Sequence, residues 1–255
     1  LKDDTKLQAA FDIMLEKSVS SVVVTDDNSK PIGILTEHDA LQILTKGITK
    51  ESLLRDVMSK NLYCVEDGMN IHDAYLAMEK SGFRHLVVVK DTNTYLGVVT
   101  EGDFLRHMDF EDIAKLKSIE DVMSNSLLTV EKESPLELTV SLMNNGKNDY
   151  AIILNNCVPI GIVTERDIAR HFARNKQVKN ITVSDIEQTP LHLVKKTTNI
   201  QTASALMKKH GIHQLVVVNN EGHLAGLITR HDILKAIHGS YFDFLLQTIE
   251  SKTQN

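Results

Sequence analysis

Two cysteines in 255 residues, Cys64 and Cys157, leave the chain without a disulfide framework or a metal-type cysteine spacing. That scarcity fits a reducing, intracellular setting. No apolar run approaches the roughly 18–20 residues that a membrane helix needs, and no signal-peptide pattern is present. The expectation is a cytoplasmic chain without direct membrane insertion. A basic stripe is also missing, and the net charge of −6 argues against a nucleic-acid partner. The patterns H-E-x-x-H, paired C-x-x-C and G-x-S-x-G are absent, as are a carboxylate dyad and a Ser/His/Asp set. Neither catalytic residues nor metal ligands can be named, and a non-enzyme is expected. Apolar residues make up 42%, ample for more than one compact module.

What the chain does have is a period. Gly33-Ile-Leu-Thr36-Glu-His-Asp39 recurs as Gly97-Val-Val-Thr100-Glu-Gly-Asp103, Gly161-Ile-Val-Thr164-Glu-Arg-Asp167 and Gly226-Leu-Ile-Thr229-Arg-His-Asp232, with glycines 64, 64 and 65 residues apart. Met14, Met78, Met143 and Met207 keep the same period. Each ends an apolar stripe with i, i+3, i+4, i+7 spacing, for example Leu7, Ala10, Phe11 and Met14, which predicts an amphipathic helix with the methionine in the core. Apolar runs follow at Val22–Val24, Leu86–Val89, Ala151–Leu154 and Leu215–Val218 and read as strands with little solvated face. Turn residues such as Asn219-Asn220-Glu221-Gly222 separate each from the glycine-bearing strand. A second helix is expected from each Thr onward. Shorter strands precede repeats two to four at Leu62–Val65, Leu127–Val130 and Leu191–Val194.

The order strand, helix, strand, strand, helix and the G-h-h-T-x-x-D signature resemble the cystathionine-β-synthase-type (CBS) domain over about residues 1–238. The lead-in recurs as well, as Asp56-Val57-Met58 and Asp121-Val122-Met123, weakening to Asp185-Ile186-Glu187. The resemblance implies an α/β fold of four CBS units over 1–50, 51–112, 113–176 and 177–239. It further implies pairing into two Bateman modules, about 1–112 and 113–240. A repeat of roughly 60 residues is marginal alone, so pairing supplies much of the core. Repeat one starts without its lead strand. A C-terminal exit helix is expected over 240–255, with Phe242, Leu245, Leu246 and Ile249 on one face. Two readings of it stay open: a helix docked back on the module, or one leading to an effector domain beyond residue 255, as in bacterial signalling proteins of similar build.

A Thr that closes a strand and opens a helix sets its hydroxyl beside free backbone N–H groups at a positive helix end, which suits phosphate. An Asp one turn later can accept from both hydroxyls of a ribose. The resemblance assigns phosphate or ribose contact to the Thr and ribose contact to the Asp, giving Thr36/Asp39, Thr100/Asp103, Thr164/Asp167 and Thr229/Asp232. The competing reading is a capping box, in which the pair only ties off the helix, worth about 0.5–2 kcal/mol for the cap. A capping box prefers the longer Glu or Gln at its third position, and all four copies have Asp.

In relatives with four such repeats, residues opening the second strand reach nucleotide phosphates. The matching Arg84, His85 and His213 are the phosphate candidates, which favours repeats two and four. Asp149 would repel a phosphate, and Arg166 is either a phosphate contact or a solvated side chain. His107 and His171 suit a helix C-terminus. The expectation is a regulatory module binding AMP, ADP or ATP, as a homodimer or by intramolecular module pairing. The alternatives are a dimerisation scaffold without ligand, or a sensor of S-adenosylmethionine, NAD or a cyclic dinucleotide.

Overall fold

A computed structural model describes residues 1–255 apart from 92, 108–116, 175–179, 187 and 240–255. The expected exit helix at 240–255 lies outside the described residues. Repeat one is a helix Leu7–Lys17, strands β1 (Ser21–Thr25) and β2 (Pro31–Thr36), and a helix Asp39–Thr45. Repeat two adds the lead strand β3 (Cys64–Glu66), a helix Ile71–Ser81, β4 (His85–Lys90), β5 (Thr94–Thr100) and a helix Glu101–His107. Repeat three has β6 (Thr129–Glu131), a helix Leu136–Gly146, β7 (Tyr150–Asn155), β8 (Val158–Thr164) and a helix Glu165–Arg174. Repeat four has β9 (Leu193–Lys195), a helix Ile200–His210, β10 (Gln214–Val218), β11 (Leu224–Thr229) and a helix over 230–239.

Each sheet follows one plan. The strands after the first helix pair antiparallel, as Val23 opposite Ile34, Ile152 opposite Ile162 and Val216 opposite Leu227. The lead strands β3, β6 and β9 add in parallel to β4, β7 and β10. In repeat one only the last rung of that ladder is present: the Leu1 ammonium donates to the Val23 carbonyl at 3.0 Å, and Thr25 N–H donates back to Leu1 at 2.8 Å. All four period-setting methionines are core residues, 0–5% exposed.

Packing does not follow chain order. The molecule divides into two compact units, residues 1–99 with 128–190, and the described parts of 100–127 with those from 191 onward. In the first unit, repeat one uses two faces. Val23 and Ile34 of its sheet share a core with Val87 and Val89 of repeat two. Its helices share a larger core with those of repeat three, built from Leu7, Phe11, Leu41, Leu136, Met143 and Phe172 among others. Phe11 and Phe172 meet edge to face, centroids 5.3 Å apart, and Lys50 Nζ lies 5.6 Å from the Phe172 ring centre while donating to the Ala173 carbonyl. The sheet pairing of repeats one and two is the expected one; the docking of repeat three on repeat one's helices has no signature in the sequence. In the second unit, Ile200, Met207, Leu215, Ile228 and Ile233 form the core.

The lead-in segments explain the motif glycine. Residues 52–59, which lead into repeat two, dock on repeat one: Leu54 N–H donates to Thr5, and Ser59 exchanges two 2.9 Å bonds with Ile34. Residues 118–124, which lead into repeat three, dock on repeat four through Ile119–Thr198 and Ser124–Leu227. Residues 182–189, which lead into repeat four, dock on repeat three through Val183–Ser134 and Thr189–Ile162. In each case a long side chain lies where a Cβ on the motif glycine would stand: Met58 at Gly33, Gln188 at Gly161, and Met123 at Gly226, its sulfur 2.5 Å from that point. Only glycine permits so close an approach.

Candidate functional site

All four Thr–Asp pairs close on themselves. The Asp Oδ2 accepts from the Thr backbone N–H and hydroxyl at 2.7 and 2.9 Å for Thr36/Asp39, and 2.8 and 2.7 Å for Thr100/Asp103. The distances are 2.9 and 2.7 Å for Thr164/Asp167, and 2.8 and 2.7 Å for Thr229/Asp232. The preference of a capping box for Glu therefore does not separate site from cap: Asp reaches back in every copy. It does so again at Ser118/Asp121 and Thr182/Asp185, where no ligand role is suggested.

The second carboxylate oxygen does separate the copies. Asp103 Oδ1 is taken by Arg106, and Asp103 is held below the usual carboxylate range: burial opposes this, but the Thr100 hydroxyl and amide and Arg106 outweigh it. Asp167 is fully buried, with Arg170 at 3.2 Å and the Thr189 hydroxyl 3.0 Å from both oxygens. Asp39 and Asp232 keep Oδ1 without a hydrogen-bond partner among the described residues. Burial raises the Asp39 carboxyl, against the two bonds from Thr36. Engagement of each Asp thus depends on neighbours the motif does not contain, Arg106 in repeat two and Arg170 and Thr189 in repeat three.

Thr36 lines a small cleft with Ile34, Asn61, Leu62, Tyr63, Phe83, Arg84, His85 and Val87. Its volume, about 50 Å³, is well below the usual range for small-molecule sites, so a nucleotide has to open it. Tyr63 and Phe83 stand 6.1 Å apart, centroid to centroid. Two of the predicted phosphate candidates, Arg84 and His85, therefore join the Thr of repeat one. Repeat two's sheet faces repeat one's, so its strand entrance borders that motif. His85 Nε2 lies 2.9 Å from Ser20 Oγ. Arg84 reaches Asp149 at 2.9 Å and Glu165 at 3.4 Å. Asp149 thus acts as an anchor for this arginine. Tyr63, Phe83 and Asn61 are not singled out by the sequence, and Leu62 only as part of a strand; the signal available was two of the chain's scarce aromatics, one beside Arg84-His85 and one just before the lead strand.

The motif's inner positions also form pairs. His38 Nδ1 lies 2.5 Å from Glu165 Oε1, and His231 Nδ1 lies 2.9 Å from Glu101 Oε1. Each carboxylate bond raises its histidine's pKa against the cost of burial. Arg166, partly exposed, donates to Glu37 at 2.8 Å. Burial still raises Glu37, with Arg166 opposing. His213 is half-buried, and its carbonyl accepts from Arg230 N–H next to Thr229. His107 and His171 sit in the last turns of their helices as expected. Among the described residues no cluster of three or more His, Cys, Asp or Glu could hold a metal, and no helix is long and apolar enough to cross a membrane.

A family model for the CBS domain matches residues 1–46, 54–109, 119–174 and 183–239, and the chain belongs to that family. An uncharacterized protein of Methanocaldococcus jannaschii, MJ1225, is 23% identical over 185 residues, covering 68% of this chain and 66% of that protein. A second from the same organism, MJ1404, is 29% identical over 72% of this chain and 43% of its own length. Inosine-5'-monophosphate dehydrogenase of Nitrosopumilus maritimus is 27% identical over 68% of this chain and 35% of that enzyme. The chain thus spans two thirds or less of these relatives. The crystal structure of MJ1225, described as a proposed archaeal homolog of g-AMPK, matches with a TM-score of 0.83 at 18% identity, covering 92% of this chain and 94% of that one. A conserved protein from Pyrococcus horikoshii matches at 0.59 and 21% identity, covering 86% and 91%. These likenesses establish the fold.

Proposed function

We propose that the chain is a non-catalytic regulatory module that binds an adenine nucleotide, AMP, ADP or ATP, in the cleft between the sheets of repeats one and two. The observation that carries this is convergence. One cleft brings together a helix-opening Thr36, the phosphate candidates Arg84 and His85 and two aromatic rings, beside the unengaged carboxylate oxygen of Asp39. Asp39 Oδ1 accepts from the ribose diol, Arg84 and His85 meet the phosphate, and Tyr63, Phe83 and Leu62 wall the base. The fold is shared with MJ1225, described as a proposed archaeal homolog of g-AMPK. Thr229, Asp232 and His213 offer a second site of similar composition; Thr100/Asp103 and Thr164/Asp167 serve as caps first.

The relay follows from what Arg84 already holds. A phosphate that draws Arg84 away from Asp149 and Glu165 loosens repeat two's grip on repeat three. A ligand shifts such an equilibrium only by its differential affinity for the two arrangements, commonly about 1–3 kcal/mol. An effector domain beyond residue 255, a homodimeric or intramolecular pairing of modules, and a cytoplasmic setting complete the proposal. A scaffold without ligand is the second reading, favoured by the capping geometry shared by all four pairs.

Thermal shift with AMP, ADP, ATP, NAD, S-adenosylmethionine and cyclic dinucleotides tests the ligand class. At 100 times the dissociation constant a ligand stabilises by about 2.7 kcal/mol. Stabilisation by an adenine nucleotide that Arg84→Gln reduces supports the reading. Stabilisation by another adenosyl compound alone reassigns the ligand, and silence across the panel leaves the scaffold.

A further inference from the structure

Beside the cleft of repeats one and two stands a carboxylate of repeat three. Glu165 opens that repeat's second helix, is buried, and lies between two cations. His38 Nδ1 is 2.5 Å from Glu165 Oε1, while Arg84 Nη2 is 3.5 Å from the same oxygen and 3.4 Å from Oε2. Arg84 also donates to Asp149 at 2.9 Å. One buried carboxylate thus serves a histidine of repeat one and the arginine that lines the cleft.

The two partners differ in kind. Arg84 stays charged at any pH a folded protein meets, whereas a histidine changes charge near neutrality. With His38 protonated, Glu165 is shared by two charges and holds Arg84 less firmly. With His38 neutral, the carboxylate charge is left to Arg84, in a site where little water screens it. His38 faces Glu165 from the helix of repeat three, Arg84 from the entrance of β4 and Asp39 from its own helix. Its chain neighbour Glu37 is engaged by Arg166. The bond from Glu165 is the largest influence and raises His38 against the cost of burial; Asp39 also raises it, and Arg84 opposes.

We infer that His38 and Glu165 are positioning residues of the nucleotide cleft: a proton on His38 loosens Glu165 from Arg84, frees the guanidinium for the ligand phosphate and couples binding to proton uptake. The inference rests on the nucleotide reading of this cleft. Its sign is fixed by the geometry. Affinity is higher in acid, where His38 occupies Glu165, and lower in base, where Arg84 alone does. The coupling is reciprocal. A phosphate that draws Arg84 aside removes the charge opposing protonation of His38, so binding takes up protons.

The test is titration calorimetry of AMP into the full chain at about pH 6, 7 and 8, each in two buffers of different ionisation enthalpy. Such a pair of buffers reads affinity and proton uptake together. The ligand phosphate, Asp39 and His85 are present in both the parent and His38→Gln, so the difference between the two isolates His38. From the lowest to the highest pH the parent should lose about fivefold more affinity than His38→Gln, and should take up more protons on binding. Glu165→Gln should bind AMP more tightly than the parent at the highest pH, because Arg84 then faces one carboxylate fewer. AMP binding with the same pH profile and proton uptake in the parent and His38→Gln overturns the inference and leaves the nucleotide reading standing. A parent that binds AMP at no pH overturns the nucleotide reading and this inference with it.

Discussion

Replacing Asp39 by Asn separates the two roles that one carboxylate plays. Asp39 Oδ2 accepts from Thr36 N–H and Oγ1 at 2.7 and 2.9 Å, while Oδ1 has no partner among the described residues. Asparagine keeps one acceptor oxygen, which can retain the cap, and turns the other atom into a donor that repels a ribose hydroxyl hydrogen. A hydrogen bond to a charged group is worth about 1.5–3 kcal/mol, so nucleotide affinity should fall about 10- to 150-fold. The fold should be nearly untouched: burial already raises the Asp39 carboxyl, and a neutral amide relieves that cost. Asp167→Asn is the matched control. Both its oxygens are engaged inside the protein, so it should lower the melting temperature and leave affinity alone. Isothermal calorimetry with AMP and differential scanning calorimetry read the two effects apart. The reasoning is refuted if Asp39→Asn binds like the parent, or if it loses stability in proportion to its loss of affinity.

Further consequences follow from the packing. Phe172→Ala removes the ring that Phe11 meets edge-on and should cost about 3–5 kcal/mol in chemical denaturation, with repeats one and three unfolding together. Gly33→Val should destabilise by about 1–3 kcal/mol through collision with Met58, and Met58→Ala should restore part of that loss. The histidine pairs set a pH dependence. His38 is raised above 6.5 by Glu165, so its stabilisation is complete below 6.5 and fades as pH rises through the higher folded value. Melting temperature should therefore fall from about pH 6 to pH 8 more steeply in the parent than in His38→Gln. The raised Glu37 carboxyl acts in the same direction at lower pH.

The sequence period carries most of the architecture because each repeat buries its own helix stripe and strands. Met14, Met78, Met143 and Met207 could be placed in cores from spacing alone. Relations between repeats were not legible. Nothing local marks Phe11 and Phe172 as neighbours, or tells that Met58 rests on Gly33 and Met123 on Gly226. The partner of Arg84 is hidden for the same reason: Asp149, which holds it, belongs to the next repeat. The Thr–Asp motif marked four helix starts but not which carboxylates are occupied, since Arg106, Arg170 and Thr189 decide that.

Photolabelling with 8-azido-AMP, followed by peptide mass spectrometry, tests the nucleotide cleft most directly because it reports where the base sits. The account predicts covalent label on the segment holding Tyr63 or on the segment holding Phe83, competed away by unmodified AMP and diminished in Asp39→Asn. Label confined to other segments, or label that excess AMP does not compete, contradicts it.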